Sequence, residues 1–224
     1  MALEDENSGD GLAIRLARSD EEHAAVRRFW YEVYCVVRGV LRDKADHIRR
    51  ELDDPFLRKG YLHMATDGRG ICGTVLTTYG RDTALEPYAS FYELERVPGY
   101  PHRVSITTKL MVRPDVRGTN VVLHLLRASY HLAFRRGVER SVFDCNDPVY
   151  ALFKSMGARD LHGRKSSPDF GDVHIMEMPV TGNERALARG LTPKDHQLRS
   201  EQSAALSRFW PAGAPVFAAQ PTSA

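Results

Sequence analysis

Apolar positions change their spacing several times along this chain, and each change marks an element. Leu12 to Ala17 reads as a short strand. Ser19 and Glu22 then have capping-box spacing, and Val26, Phe29, Trp30, Val33 and Val37 recur at helical intervals until Gly39 supplies a stop. A second, more polar helix is predicted around Asp43 to Glu51. Strands at Gly60 to Thr66 and Gly70 to Tyr79 flank the turn signal Asp67-Gly68 and make a hairpin. Gly80 to Arg103, with three prolines among several aromatics, reads as a long excursion packed on the body of the fold. Loops of that length inside a compact domain usually carry function, and the aromatics point the same way.

Val104 to Val112 is the most informative strand. Strict alternation places Val104, Ile106, Thr108, Leu110 and Val112 on one face, and Ser105, Thr107, Lys109 and Met111 on the other. With helices covering both sides of the sheet, that second face is too polar for a dry core, so it lines a cavity or wets an edge. An amphipathic helix from about Arg117 to Arg136 follows, with Val122, Leu125, Leu126, Leu132 and Ala133 inward and Gly137 at its end. Next come a strand from Glu139 to Cys145, a helix from about Pro148 to Met156, and a last hairpin, Ala158 to Arg164 with Val173 to Pro179. The pattern divides the chain into a disordered lead-in, residues 1–11, one α/β (α+β) domain, residues 12–180, and a C-terminal extension, residues 181–224. Helices are expected in the extension at Asn183 to Arg189 and Pro193 to Trp210, with a fraying Ala/Pro-rich tail.

Composition changes this picture little, and charge changes it more. A chain of 224 residues, 42% hydrophobic, suffices for one full core. No apolar run is long enough for a membrane span, and the acidic start lacks a secretory pattern, so a cytoplasmic protein is expected. Cys35, Cys72 and Cys145 are scattered and form no metal-ligand spacing, so no metal is expected. The net charge of +2 hides an asymmetry: residues 103–165 hold twelve Lys or Arg against five Asp or Glu. That stretch should attract an anion or an acidic partner. It lacks the interleaved aromatics of a nucleic-acid module, so no nucleic acid is expected.

Two motifs carry a family resemblance. Val112-Arg113-Pro114-Asp115-Val116-Arg117-Gly118 ends a strand and opens a helix, where unpaired amides and the helix dipole suit a phosphate. One helix later, Asn146-Asp147-Pro148-Val149-Tyr150-Ala151-Leu152-Phe153 runs to Gly157-Ala158. The pair resembles the GNAT acyltransferase superfamily. The resemblance implies a mixed central sheet of about seven strands, splayed between the fourth and fifth, with helices on both faces. Phe29 to Gly39, Glu51-Leu52-Asp53-Asp54 and Tyr61-Leu62 resemble the start of acyl-homoserine lactone synthases and long-chain N-acyl amino acid synthases. Departures are informative. Asn120 and Val122 stand where small residues admit a pyrophosphate, Phe153 replaces a proton-donating Tyr, and Ile106 and Lys109 replace a Glu and an Arg of the lactone synthases.

The resemblance implies no permanently bound cofactor and a donor in the form of an acyl-pantetheine thioester. The donor would contact Met111 and Val112 at the strand end, Arg117, Gly118, Thr119 and Asn120 in the loop, and Asn146 and Phe153 beyond. Aminolysis of a thioester also needs a proton acceptor and an oriented amine. Lys109 and Thr107, facing the same way, are candidates to orient an acceptor carboxylate or the thioester, unless Lys109 is an ordinary surface residue. Asp144 is a candidate base or amine anchor, or else a salt-bridge or capping residue. Asn146 holds pantetheine amides or caps the next helix. Asp53 and Asp54 read as a solvated turn pair more readily than as a site. The expected function is N-acyl transfer from acyl carrier protein to an amino acid or similar small amine acceptor. The alternatives are a coenzyme A-dependent acetyltransferase and a non-catalytic binding module of the same fold.

Overall fold

The computed structural model describes residues 6–8 and 11–180. Its main sheet has eight strands in the order β1-β2-β5-β6-β7-β8-β10-β9. They are β1 (Glu6–Ser8), β2 (Leu12–Leu16), β5 (Tyr61–Asp67), β6 (Gly70–Tyr79), β7 (Val104–Val112), β8 (Arg140–Cys145), β9 (Arg159–Ser167) and β10 (Gly171–Pro179). Neighbours run antiparallel except β7 and β8, which run parallel. Seven of the eight are the expected strands. The eighth departs from the expected lead-in, because Glu6–Ser8 pairs with Leu12–Ile14. The helices expected at Asn183 to Arg189 and Pro193 to Trp210 lie outside the described residues.

Helix α1 (Asp20–Trp30) starts on the predicted capping box: the Glu22 amide donates to Ser19 Oγ, and the Glu22 carboxylate accepts from the Ser19 amide. The chain then winds on as a π-helix, Tyr31–Val37, to Gly39 at φ +72°. The wider winding breaks the predicted interval, so Tyr34 and Cys35 are buried while Val37 is exposed. No second helix follows. Arg42–Lys44 is a 3-10 turn, and β3 (Ala45–Asp46) pairs with β4 (Glu51–Leu52) in a small hairpin. Asp46 drives that outcome by accepting the Ile48 and Arg49 amides, a local turn bond that competes with helix.

Helices cover both faces. On one, α1 and the excursion pack over Leu62, Leu76, Ile106 and Val142. The excursion holds a short helix, α2 (Tyr88–Phe91), and the Lys165 ammonium on β9 pins it by donating to the Phe91 carbonyl and Glu93. On the other face, α3 (Val121–Arg135) covers Val75 and Val112, and α4 (Asp147–Ser155) covers Phe143 and Met176.

Two features of β7 position the site. First, β7 and β8 pair only at Val104–Arg140, Ser105–Ser141 and Ile106–Val142, and beyond that they part. Secondly, β7 carries a bulge. Thr74 faces Met111 but Leu76 faces Thr108, so Lys109 and Leu110 share one partner, and Lys109 sits at φ +53°. Trp30 Nε1 donates to Thr74 Oγ1, which donates to the Lys109 carbonyl, each at 3.0 Å. The extra residue reverses the alternation predicted from the sequence: Met111 joins Val104 and Ile106 on the α1 face, while Leu110 and Val112 turn toward α3 and α4.

Candidate active site

A cavity of about 490 Å³ opens where β7 and β8 part. Its α3 and α4 side is mostly apolar, with Leu126, Tyr130, Phe143, Leu152, Phe153 and Met178. Phe153, placed with the donor-binding residues by the sequence, packs on Phe143 with ring centroids 4.7 Å apart. Two hydroxyl pairs lie on this side: Thr107 Oγ1 and Ser141 Oγ are 2.7 Å apart, and Thr77 Oγ1 and Ser129 Oγ 2.6 Å.

The α1 side is charged. Lys109 Nζ lies 2.9 Å from Asp54 Oδ2, with side chains only 9% and 3% exposed. Asp54 is fixed in turn by the Phe56 amide, which donates to Oδ1 at 2.8 Å. The ammonium also lies 5.8 Å from the Trp30 ring and 5.5 Å from that of Tyr34. Burial works against this charge, but Tyr34, the Asp54 carboxylate and Tyr88 outweigh it and hold the ammonium above its ordinary pKa. Three sequence readings are therefore corrected. Thr107 and Lys109 do not face the same way, because the bulge separates them. Lys109 is not an ordinary surface residue, and Asp54 is not a solvated turn residue.

Asp144 leaves the end of β8 on the Lys109 side. Tyr92, at the end of α2, donates its hydroxyl to Asp144 Oδ1 at 2.5 Å. Burial pushes the Asp144 carboxyl above the usual carboxylate range, against the opposing pull of the Tyr92 bond and the Lys109 charge. A carboxylate with a raised pKa in a cleft suits proton transfer.

The predicted phosphate loop borders the same cavity. Arg117, Gly118 and Asn120 line it, as do Met111 and Val112 at the strand end. Gly118 takes φ +80°, and α3 begins at Val121. Arg117 is 9% exposed, and burial together with the nearby Arg38 charge lowers its pKa. Thr119 turns back into the loop, donating to the Val116 carbonyl at 2.7 Å, and does not line the cavity. Asn146 does line it. Its side chain makes no cap; it donates to the Phe170 carbonyl at 3.3 Å.

The sequence reading missed Tyr34, Arg38 and Tyr92. Tyr34 and Arg38 were masked by a regular helical interval that the π-helix abandons, and Tyr92 by an excursion without periodicity. Among the described residues, no His, Cys, Asp or Glu group has the makings of a metal site, and no helix is long and apolar enough to cross a membrane.

Comparison with known proteins places these features in context. Residues 25–179 match the family model described as N-acyl amino acid synthase FeeM. No curated protein sequence matches. Among solved structures, the acyl-homoserine lactone synthase LasI superposes with a TM-score of 0.65 at 11% identity, covering 82% of this chain and 98% of its own. TofI, solved in a ternary complex with an inhibitor and MTA, gives 0.63 at 15% identity, with 80% and 96% covered. FeeM, an N-acyl amino acid synthase from uncultured soil microbes, gives 0.59 at 14% identity, with 76% and 92% covered. At such identities the superpositions establish a shared fold, including the splayed sheet with helices on both faces.

Proposed function

This chain belongs to the N-acyl amino acid synthase FeeM family and is an N-acyltransferase; from that premise we propose that it moves an acyl group from an acyl carrier protein thioester to the amine of an amino acid. The observation that carries the reading is the meeting, at one gap in the sheet, of a mostly apolar cavity and a half-buried carboxylate of raised pKa.

The acyl chain lies among Leu126, Phe143 and Met178, and the pantetheine arm leaves past Arg117 and the start of α3, where helix amides and a guanidinium suit its phosphate. Asn146 borders the path of the arm. The acceptor enters from the Tyr34 side and places its amine at Asp144. Asp144 takes a proton from the nitrogen, the nitrogen bonds to the thioester carbon, and the C–S bond breaks. The departing thiolate takes the second proton that the nitrogen sheds, so the products are an amide and a free thiol. Tyr92 holds the Asp144 carboxylate in place. Lys109, neutralised by Asp54, shapes the pocket and lends its field to Asp144. Thr107 stands on the acyl side, where its contact with Ser141 closes the narrow end of the gap.

Two features support a carrier protein over free coenzyme A. Asn120 and Val122 stand at the start of α3, where small residues would admit a pyrophosphate, and residues 103–165 carry the excess of basic residues that an acidic carrier would meet. The test is intact-mass analysis of acyl carrier proteins, with acyl-coenzyme A esters in parallel, incubated with pooled amino acids. Acceptor-dependent loss of acyl groups from the carrier supports the reading. Loss from coenzyme A alone replaces the donor, and no loss from either refutes transfer.

A further inference from the structure

Three of the cations that line the cleft stand in different settings. Lys109, the residue that the sequence offers to an acceptor carboxylate, is already neutralised by Asp54. Arg117 stands in the loop that suits the donor's phosphate. Arg38 differs from both. It ends the π-helix, and its guanidinium carbon lies 5.6 Å from the Tyr34 ring centroid and 5.7 Å from that of Phe170. It lines the cavity, and among the described residues no carboxylate forms an ion pair with it. Its charge bears on Tyr34, Asp144 and Arg117 alike, and all four residues line the same cavity.

We propose that Arg38 binds the α-carboxylate of the acceptor, so that the site selects amino acids over plain amines. This deepens the N-acyl amino acid synthase reading and rests on it. A guanidinium presents a planar fork that matches a carboxylate through two parallel hydrogen bonds. The two aromatic rings hold that fork in one orientation, so little side-chain freedom remains to be lost on binding. Asp144, on the same side, offers the opposite charge. An amino acid is thereby held at both ends and in one direction only, because the reversed pose sets amine against guanidinium and carboxylate against carboxylate. A simple amine gains half of these contacts and leaves Arg38 without a counter-charge.

The test uses the full chain, one acyl-carrier donor, and three acceptors that share a side chain: an amino acid, its carboxamide and its decarboxylated amine. Arg38→Gln and Arg38→Lys are compared with wild type, with donor affinity read separately by thermal shift without acceptor. The proposal expects wild type to prefer the amino acid. Arg38→Gln should raise KM for the amino acid about 10- to 100-fold, the loss of a charge-assisted bidentate contact, with KM for the other two acceptors within about twofold. Arg38→Lys should recover part of the loss. Equal use of all three acceptors by wild type overturns the anchor and leaves N-acyl transfer standing. So does a variant that loses all three equally, or one that weakens donor affinity instead. Failure of wild type to make an amide from any acceptor sinks the parent reading, and the anchor with it.

Discussion

The two sides of β7 solve opposite problems with one strand. Toward α3 and α4 the gap is mostly apolar, and Thr107 pairs there with Ser141. Toward α1 the same strand presents an ammonium buried against Asp54, with Asp144 and Tyr92 alongside. The device that separates them is one extra residue at Lys109, secured by the Trp30–Thr74 hydrogen bonds. A strictly alternating strand would have put Lys109 beside Thr107, and the acyl chain would have met a charge. In the proposed function, the bulge lets a greasy substrate and a zwitterionic one reach the same gap from different sides.

Substitutions at this divide should affect the two sides differently. The largest effect is expected from Asp144→Asn, which removes the proton acceptor without a large change in shape. Turnover should fall about 10²- to 10⁴-fold with donor affinity retained, read by stopped-time amide formation. The native Asp144 carboxyl titrates above the unfolded value, so between those values the folded protein holds the proton more tightly than the unfolded chain. Its contribution to stability therefore falls as pH rises through that window, while turnover rises as the base ionises. Asp144→Asn should abolish both slopes, checked by denaturant melts and rate profiles over the acidic range.

Asp54→Asn attacks the charged side structurally. It leaves Lys109 buried without a counter-charge and should cost about 3–5 kcal/mol in urea unfolding, whereas the Asp54→Leu/Lys109→Met pair should recover most of that loss. If the single variant is as stable as wild type, the ion pair is not what it is argued to be. On the apolar side, Leu126→Trp should fill the gap. The displaced end of a long acyl chain, at about 0.8 kcal/mol per methylene, should lower kcat/KM for long donors roughly 10- to 50-fold and spare short ones. Arg117→Ala should weaken donor binding roughly 5- to 20-fold, with a small change in melting temperature. The smallest effect belongs far from the gap: Ser19→Ala removes the capping box and should cost about 1 kcal/mol of stability with turnover unchanged.

Where the sequence was legible, regular spacing made it so. The capping box, the β5–β6 hairpin, the bounds of β7 and the phosphate-loop motif stand where local pattern put them, because short-range rules govern them. The excess residue at Lys109 has no such signature. No glycine marks the bulge, and a lysine at φ +53° is held by a bond from Thr74, which Trp30 anchors in turn, both distant in sequence. Asp54 was equally hidden. Its partner lies 55 positions away, and an acidic pair in a turn looks like any solvated turn until a buried ammonium arrives beside it. Asp144 and Arg117 were legible as candidates because each ends or follows a strand at the gap. The partners that tune them, Tyr92 and Arg38, come from a non-periodic excursion and a π-helix, where sequence rules are silent.

The most direct test of the divided gap is a crystal structure with an N-acyl amino acid product bound. The account predicts the acyl chain among Leu126, Phe143 and Met178, the amide at the parting of β7 and β8 beside Asp144, and the amino acid head on the Tyr34 side. A product bound with its head toward α3 and its chain against Lys109 and Asp54 would contradict it.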